Sequence, residues 1–517
     1  MRKLIALLLT LALLAGLVPA AFAASPYVLD IYWIANRDDP EIRAGVEAAI
    51  NEYLAELHKA DRNAVAKMEV SIHLIDWGHW DTDAMGDLMA DKKIDLIFTA
   101  DWKGYVEEIL ADKLLPLNDQ LDSYGKGIKE TLSQDFLEGV KYSGSAANGS
   151  EIYGIPTNKE ICVPSGLIVN KTAALSIGWD PDKDPVKSTE ELEPYLQKYK
   201  EMYPDKYPYL MEKGRWSDEP WGHEWIGLPE DVVDMKYAMD ENGKYDEEIY
   251  NIFEQPEQEE HIRLMYRWAQ AGYIDPQAEY WDSENGYNTV FGKGDFLVFT
   301  QPLKGHNIKC VEMYAEKHDP TAPEFECTEI ILQDKYLVTC QAGGSMFAIP
   351  KTGRADCAMQ YLNLMHTDEK LVNLMLFGVE GVNYTKVNDR QVELNQEANW
   401  YGLHGGAWTV GNTKLQYVLT TEDPEKNALL QQYAEEEPKA EKTASYGFRF
   451  NKSKAATLDA VTEVVNKFTR PLMVGAVNPD DPERGLEAFR QALRDAGVQE
   501  LIDEVRNQYD EWKAAQK

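Results

Sequence analysis

Alternating strand and helix patterns near the amino terminus are the feature that most constrains the fold of this chain. Strand patterns occur over residues 28–34, 70–74 and 94–99, where apolar residues form short runs or alternate with polar ones. Asp39 followed by Pro40 predicts a helix start after the first strand, and apolar residues continue from there at helical spacing. This alternation predicts a parallel sheet with helices on both faces, which is an α/β lobe.

The length and charge of the chain bound its domain number and its partners. At 517 residues it exceeds the size at which one hydrophobic core stops growing, so two or more packed units are expected. With 52 Lys and Arg against 88 Asp and Glu, the net charge of -36 repels nucleic-acid phosphates and anionic lipid headgroups. Aromatic residues at 11% and a hydrophobic fraction of 44% supply enough apolar surface for folded cores.

The first residues have the pattern of a secretory signal peptide. A short basic start precedes the apolar run 4–18, and residues 21–23 form the small-x-small pattern of a cleavage site. A retained membrane anchor is the alternative, but the run is shorter than the roughly 20 residues that a spanning helix needs. We therefore expect cleavage after Ala23 and a secreted mature protein, at an extracellular surface or in a periplasm, with no membrane span.

Cysteines are sparse for an exported chain of this size, so disulfides are not expected to be its main support. Four of the five lie between residues 310 and 357, which allows one or two local bridges and leaves at least one thiol unpaired. None shows C-x-x-C spacing, so neither a thiolate metal site nor a redox pair is expected. The five are Cys162, Cys310, Cys327, Cys340 and Cys357.

Tryptophan residues mark the end of each of the three predicted strands, with aspartate beside two of them. In α/β sheets ligands bind at the carboxyl ends of the strands, where the loops meet helix N-termini. Aromatic faces stack on sugar rings while neighbouring carboxylates bond hydroxyls, so the pattern predicts a ligand-binding edge. The alternative is that some of these rings fill gaps in the core. The residues are Trp33 at the first strand, Asp76, Trp77 and Trp80 at the second, and Asp101 and Trp102 at the third.

Several different short motifs follow one another in a fixed order along the chain. Residues 152–160 read IYGIPTNKE, and further phrases lie at 76–78, 94–98, 167–171, 291–299 and 346–350. In their order and spacing these phrases resemble family 1 extracellular solute-binding proteins of ABC importers. The resemblance implies that the stretch after Pro156 crosses between two lobes, with Lys159 and Glu160 facing the cleft between them.

Phrases near the carboxyl terminus make the resemblance narrower. Residues 378–384, 408–412 and 446–450, with the helices after them, resemble a LipO-like subgroup that carries a C-terminal domain of unknown function. This resemblance implies binding roles for Glu380 and Trp408. Many relatives carry a lipid anchor on a cysteine just after the signal peptide. Residues 23–25 contain no cysteine here, so a lipid anchor is not expected.

The resemblance implies the two-lobe, type II periplasmic-binding-protein fold, which is an α/β fold, with a C-terminal helical extension. The lobes would close on a ligand by bending at the crossings between them. The expected boundaries are 24–155 with about 297–345 for the amino-terminal lobe, 156–296 with about 346–420 for the second lobe, and 421–517 for the mostly helical extension. Crossings are expected near 155–160, 295–300 and 343–350.

Apolar faces after residue 457 independently predict three helices. The first carries apolar residues from Leu458 to Leu472, the second is expected to begin at Asp481, and Gly497 ends it before a third. These faces need a surface to cover them. The preceding lobe is the expected surface, and another protein is the alternative.

The sequence lacks the short motifs of several common enzyme classes. It contains no G-x-x-x-x-G-K-[ST], no G-x-S-x-G and no H-E-x-x-H. Carboxylate pairs such as Glu219 and Glu224 fit glycoside hydrolysis, but spacing alone does not distinguish them from surface charge. Oxygen donors over 240–246 do not alternate as a calcium loop requires. No catalytic residue, metal or cofactor is therefore expected.

Together, these patterns and the resemblance predict a substrate-binding receptor of an ABC importer that captures a carbohydrate, in particular an oligosaccharide, by hinge closure. The expected partners are the sugar and the transmembrane subunits of the permease, and the receptor is expected to be a monomer. Two alternatives remain open. One is a secreted glycan-active enzyme, and the other is a ligand sensor for a signalling partner.

Overall fold

The computed structural model describes residues 25–142, 151–160, 162–211, 223–224, 232–236, 247–281, 286–337, 342–422, 426–440 and 442–516. The predicted signal peptide, Glu219, residues 240–246 and Cys340 lie outside these ranges. Among the helices of the described ranges, none combines the length and the apolar character needed to cross a membrane.

A five-stranded sheet organises the first lobe. Its strands lie in the order Met68–Asp76, Tyr27–Ala35, Leu96–Thr99, Met346–Ala348 and Gly154–Pro156. The first three are mutually parallel, and Met346–Ala348 runs antiparallel to both of its neighbours. The predicted α/β lobe is confirmed, because the three strands read from the sequence are adjacent in one sheet.

The helix predicted after the first strand is present over Pro40–Ala60. The Asp39 side chain accepts hydrogen bonds from the backbone N–H groups of Glu41 and Ile42, a cap worth about 1 kcal/mol. The fully buried residues of this helix are Val46, Ile50 and Leu54. The other α-helices of this lobe are Met85–Met89, Tyr105–Leu110, Asn118–Tyr124, Lys126–Thr131, Gln134–Gly139, Ala355–Thr367 and Glu369–Phe377.

A three-stranded antiparallel sheet organises the second lobe. Cys162–Asn170 lies in the middle, with Val298–Pro302 on one side and Cys327–Leu337 on the other. Leu167 on the middle strand packs in a core that includes Trp268. The helices around this sheet are Lys171–Ser176, Glu193–Met202, Pro256–Gln270, Asn288–Lys293 and Ile308–Lys317.

Strand pairing corrects the expected assignment of about 297–345 to the first lobe. Val298–Pro302 pairs along its whole length with Cys162–Asn170, the middle strand of the second lobe. The expected crossing near 295–300 is therefore wrong, because the chain there enters a strand of the second sheet. An apolar run marks a strand but does not identify its partner, so the sequence did not reveal this pairing.

The expected assignment of about 346–420 to the second lobe is likewise wrong. Met346–Ala348 pairs with Leu96–Thr99, and apolar residues from Cys357 to Leu419 pack in the core of the first lobe. The chain thus leaves the first sheet after Pro156 and returns to it before Met346. Smaller sheets are formed by Tyr384–Lys386, Gln391–Leu394 and Val418–Leu419, by His223–Glu224, Val233–Lys236 and Ile249–Asn251, and by Lys141–Tyr142 with Glu151–Ile152.

The C-terminal extension is helical, and its apolar faces pack on the second lobe. The faces share one core with residues of the 232–262 stretch, so this chain's own second lobe covers them rather than the lobe that directly precedes them. The second predicted helix begins at Leu486 rather than Asp481, because the Asp481 carboxylate accepts from the N–H groups of Glu483 and Arg484 and forms a turn. The helices are Lys426–Glu436, Leu458–Met473, Leu486–Asp495 and Val498–Ala515.

Three of the five cysteines are free thiols. Cys310 and Cys357 are buried, and Cys327 is half-buried. The local bridges that the spacing allowed are therefore absent between any two of these three.

Candidate ligand-binding site

Three tryptophans predicted from strand ends or family phrases lie together in the first lobe. The Trp77 ring stacks against Trp102, with ring centroids 5.9 Å apart and 24° between the planes. It also stacks against Trp408, at 6.2 Å and 20°. The Trp102 side chain remains 37% exposed, and the other two are half-buried. We call these three residues the aromatic face.

Phe98 and Trp80 support the aromatic face from beneath. The Phe98 ring meets Trp408 edge-on at 5.9 Å and Trp102 at 6.3 Å. Trp80 also meets Phe98 edge-on, at 5.9 Å, and has no exposed surface. The prediction that Trp80 stacks on a ligand is thus corrected, because its ring is enclosed by the core of the lobe.

Trp33 is also a core residue. Its side chain has no exposed surface, its ring stacks on His404, and its Nε1 donates to Thr409 Oγ1 at 3.0 Å. The prediction that Trp33 contacts a ligand directly is therefore corrected as well. Its contacts hold the segment that carries Trp408.

Hydrogen bonds fix the orientation of two rings of the aromatic face, Trp77 and Trp102. Trp77 Nε1 donates to Asn36 Oδ1 at 3.2 Å, and Asn36 Nδ2 donates to the backbone oxygen of His404. Trp102 Nε1 donates to the backbone oxygen of Gly344 at 2.8 Å. Sequence reasoning missed Asn36, although it directly follows the strand Tyr27–Ala35 and so stands at the expected edge of the sheet.

The Asp76 carboxylate shapes the turn that carries Trp77. It accepts hydrogen bonds from the backbone N–H groups of Gly78 and His79, at 3.0 and 3.1 Å. Both of its oxygens also lie within 2.9 Å of His79 Nδ1. Asp76 thus lies beside the aromatic face with its carboxylate engaged inside its own turn, and its bond to a ligand hydroxyl stays a prediction.

Asp101 forms a buried ion pair with Arg449 of the C-terminal extension. Arg449 Nε and Nη2 donate to the two carboxylate oxygens at 2.8 and 2.9 Å. Side-chain exposure is 7% for Asp101 and 4% for Arg449. The predicted bond from Asp101 to a ligand hydroxyl is replaced by this pair, which the sequence did not reveal.

Glu160 belongs to a buried network of charges. Lys304 Nζ lies 3.0 Å from Glu160 Oε1 and 3.0 Å from Glu312 Oε2. Lys426 Nζ lies 2.8 Å from Glu312 Oε1 and 2.6 Å from Glu422 Oε1. Burial alone would raise the pKa of Glu312, but Lys304 and Lys426 outweigh it and lower that pKa to about 2. The network joins the crossing segment, the second lobe and the beginning of the C-terminal extension.

Lys159 and Glu380 lie in different surroundings. Lys159 Nζ is 3.5 Å from the backbone oxygen of Glu160, and burial lowers the pKa of this lysine although Glu160 offsets part of the effect. Glu380 lies on the turn before the strand Tyr384–Lys386, with a side chain that is 56% exposed and 3.9 Å from Lys386 Nζ. Lys159 is thus at the crossing between the lobes, and Glu380 is on a separate hairpin.

The second lobe approaches the aromatic face through the helix Ile308–Lys317. A Cβ atom added at Gly406 would lie 2.5 Å from Glu316 Oε1 and 3.3 Å from Cδ1 of Trp408. Gly406 also has a positive φ of 99°, so both space and backbone conformation require glycine there. Burial raises the pKa of Glu316. Sequence reasoning missed this contact, since nothing in the chain pairs residue 316 with residue 406.

The chain resembles known proteins over almost its whole length. Residues 444–514 match the model of DUF3502, a domain of unknown function. A curated protein of Streptococcus pneumoniae described as a carbohydrate ABC transporter substrate-binding protein is 21% identical over 513 residues, which cover 95% of this chain and 92% of that protein.

Solved structures agree with this likeness. The N-glycan transport solute-binding protein NgtS of Streptococcus pneumoniae, in complex with Man1GlcNAc, superposes with a TM-score of 0.74 at 19% identity, covering 94% of this chain and 99% of that one. An HMO-binding, ABC-transporter-associated solute-binding protein of Bifidobacterium longum infantis superposes with a TM-score of 0.55 at 13% identity, covering 94% and 99%. The likeness therefore extends over both lobes.

Proposed function

We propose that this chain is the substrate-binding receptor of an ABC importer. It has the fold of extracellular solute-binding proteins, and its residues 444–514 match the DUF3502 model. Its ligand is a carbohydrate, and we favour an oligosaccharide. The single observation that carries the proposal is the aromatic face. Three stacked tryptophans, partly open to solvent, lie at the sheet edge where α/β proteins bind ligands.

The chemistry of the aromatic face suits sugar rings. A pyranose ring presents an apolar face of C–H groups, and an indole ring can cover that face while neighbouring polar groups bond the hydroxyls at its rim. Trp102 is the most exposed of the three and contributes the largest open ring surface. The three ring centroids lie 5.9–6.2 Å from one another, so the rings form one compact cluster, and our preference for an oligosaccharide rests on the relatives.

Relatives support the same class of ligand. One relative is described as a carbohydrate substrate-binding protein, and a structural relative holds Man1GlcNAc. The architecture suits capture by closure, because the chain crosses between the sheets after Pro156 and again before Met346. Bending at such crossings would move the helix Ile308–Lys317 away from the aromatic face to admit a sugar and back again to exclude water from its polar contacts. The permease would then recognise the closed receptor, which we place outside the cell as a monomer.

Calorimetric titration of the purified chain with glycans tests the proposal. The panel contains Man1GlcNAc, Man5GlcNAc, milk-type oligosaccharides and alginate fragments. Trp102→Ala and Trp408→Ala are expected to weaken the best-binding glycan at least tenfold, because each removes a stacking surface of the kind that dominates binding energy. Tyr124→Ala is the matched control, since Tyr124 is 40% exposed on a helix outside the aromatic face. Equal affinity in all variants would overturn the assignment of this site.

The same samples separate a receptor from an enzyme. We expect mass spectrometry to recover each bound glycan unchanged after prolonged incubation, because a receptor releases what it binds. Shortened glycans that depend on the folded chain would contradict the proposal and favour the glycan-active alternative.

A further inference from the structure

The C-terminal extension contacts both lobes, and its last three helices share a core with the second lobe. On the second lobe, Gln258 Nε2 donates to Met473 Sδ at 3.3 Å, and Arg490 Nε donates to the backbone oxygen of Phe253 at 2.6 Å. Apolar residues of these helices share a core with the 232–262 stretch. The helical part of the domain is therefore anchored to the second lobe.

The segment 442–452, which leads into these helices, is anchored to the first lobe. Tyr446 Oη donates to the backbone oxygen of Asp135, and Lys442 pairs with the side chain of the same residue. Lys452 pairs with Glu107 at the other end of the segment. The segment thus lies along one lobe while the helices that follow it lie on the other.

Arg449 is the central contact of this segment. In addition to the two bonds to Asp101, Nη1 donates to the backbone oxygen of Lys141 at 2.7 Å, and Nη2 donates to that of Gly139 at 2.5 Å. All three of its nitrogens are therefore engaged in a site that is closed to solvent. Lysine would supply only a point charge in place of this planar set of donors.

Asp101 is joined to the aromatic face by one peptide bond. The Asp101 backbone N–H donates to the backbone oxygen of Gly343 at 2.9 Å. Trp102 Nε1 donates to the backbone oxygen of Gly344, the next residue before the strand Met346–Ala348. A Cβ atom at Gly343 would lie 2.0 Å from Asp101 Oδ2, so the two segments are in close contact. The Asp101 carboxylate therefore packs against the same segment that accepts the hydrogen bond of Trp102.

We propose that Arg449 is a positioning residue for the sugar site, and that the C-terminal domain is for this reason part of the binding apparatus. It acts through Asp101, which it bonds with two nitrogens and which directly precedes Trp102, the ring that stacks on Trp77. The inference rests on the proposed function for its consequence in binding. Its structural part concerns the order of the aromatic face and is measurable without any ligand.

A purely structural role predicts a different result. A buried ion pair that loses one partner destabilises the fold, because the remaining charge is desolvated and uncompensated. That loss alone lowers the melting temperature and leaves the aromatic face intact in the folded population. The readout must therefore report the stacking of Trp102 itself.

Far-ultraviolet circular dichroism supplies this readout, since stacked indoles give an exciton couplet. Trp102→Ala identifies the share of the couplet that comes from Trp102. Arg449→Met and Asp101→Asn are expected to lose at least half of that share well below their melting temperatures. The same two variants are also expected to bind Man1GlcNAc or Man5GlcNAc with at least fivefold lower affinity, as measured by calorimetry. Arg449→Lys, which keeps the charge, is expected to retain an intermediate couplet.

Arg490→Met is the matched control from the same domain. Its guanidinium bonds Phe253 and Glu259 on the second-lobe side, so it is expected to lower the melting temperature without changing the couplet. A full couplet in folded Arg449→Met and Asp101→Asn would overturn the inference. If the wild type binds no glycan while the couplet still depends on Arg449, the proposed function fails and the positioning role stands.

Discussion

The Trp33 ring stacks on His404 with centroids 4.4 Å apart and 14° between the planes. Both residues are fully buried, and the His404 ring bonds at both nitrogens, to the Leu376 backbone oxygen and to the Gly406 N–H group. This stack joins the strand Tyr27–Ala35 to the segment that carries Trp408. A residue expected to touch ligand thus packs inside the first lobe, against the segment that carries Trp408.

Trp33→Phe is expected to lower the free energy of unfolding by about 1–3 kcal/mol, because it removes the bond to Thr409 and part of the packed ring. It is also expected to weaken glycan binding severalfold by loosening Trp408. Trp179→Phe is the matched control, since Trp179 is equally buried, bonds the Asp184 oxygen at 2.9 Å and stacks on Tyr195 in the other lobe. Urea unfolding measures the free energy of unfolding of the two variants, and calorimetry measures their glycan affinity. Identical affinities for the two variants would refute a positioning role for Trp33.

His404 predicts a loss of stability in mild acid. Burial lowers the pKa of His404 to about 4, and the bond to the Leu376 oxygen offsets only part of this. The unfolded chain binds the proton near pH 6.5, so stability is lost as the pH falls from about 6.5 towards 4. His404→Gln keeps one donor and one acceptor and does not titrate. Between pH 7 and 5 the wild type is expected to lose about 2 kcal/mol more than this variant in urea unfolding. Parallel losses would contradict the prediction.

Glu108 predicts the opposite dependence on pH. Burial is the main cause that raises the pKa of Glu108 to about 8, with Thr99 opposing it and Glu107 adding to it. The folded state therefore holds a proton that the unfolded state releases near pH 4.5, and stability falls as the pH rises from about 4.5 to 8. Glu108→Gln removes this cost. Its advantage over the wild type in free energy of unfolding is expected to grow by up to about 4 kcal/mol between pH 5 and 8. A constant difference across this range would show that Glu108 is not protonated in the folded state.

Lys304→Met tests the buried network of charges. The change leaves Glu160 and Glu312 without this cation, and breaking a buried pair costs about 3–5 kcal/mol. Lys129→Met is the control, because the pair of Lys129 with Asp122 is exposed and such pairs contribute about 1 kcal/mol or less. Thermal and urea unfolding report both values. Similar small losses in the two variants would show that the network contributes little to stability.

Local patterns in the sequence predicted the elements of the first lobe well. The strand at residue 28 and the helix after Asp39 depend on residues that are neighbours in the chain, so spacing and capping reveal them directly. The edge of the sheet was equally predictable, because parallel strands place their carboxyl ends together. This argument selected Trp77 and Trp102, and the resemblance selected Trp408, and the three rings lie together in the structure.

Contacts between distant segments were not predictable from one sequence. Arg449 and Asp101 are separated by 348 positions, and no periodicity relates them. The same reason explains the reversed lobe assignments, since Met346–Ala348 reads as a short apolar strand with several partners open to it. Strand ends also do not distinguish a ring on the surface from one beneath it, which is why Trp33 and Trp80 were assigned to ligand contact.

The free thiols make unfolding of the two lobes separately observable. Burial raises the pKa values of Cys310, Cys327 and Cys357, so almost no reactive thiolate is present near neutral pH. Alkylating reagents therefore react with each thiol only after the structure around it unfolds. Cys357 lies on a helix of the first lobe, whereas Cys310 and Cys327 lie on elements of the second. The labelling rate at each position therefore records how often its own half of the molecule comes apart, without any introduced probe.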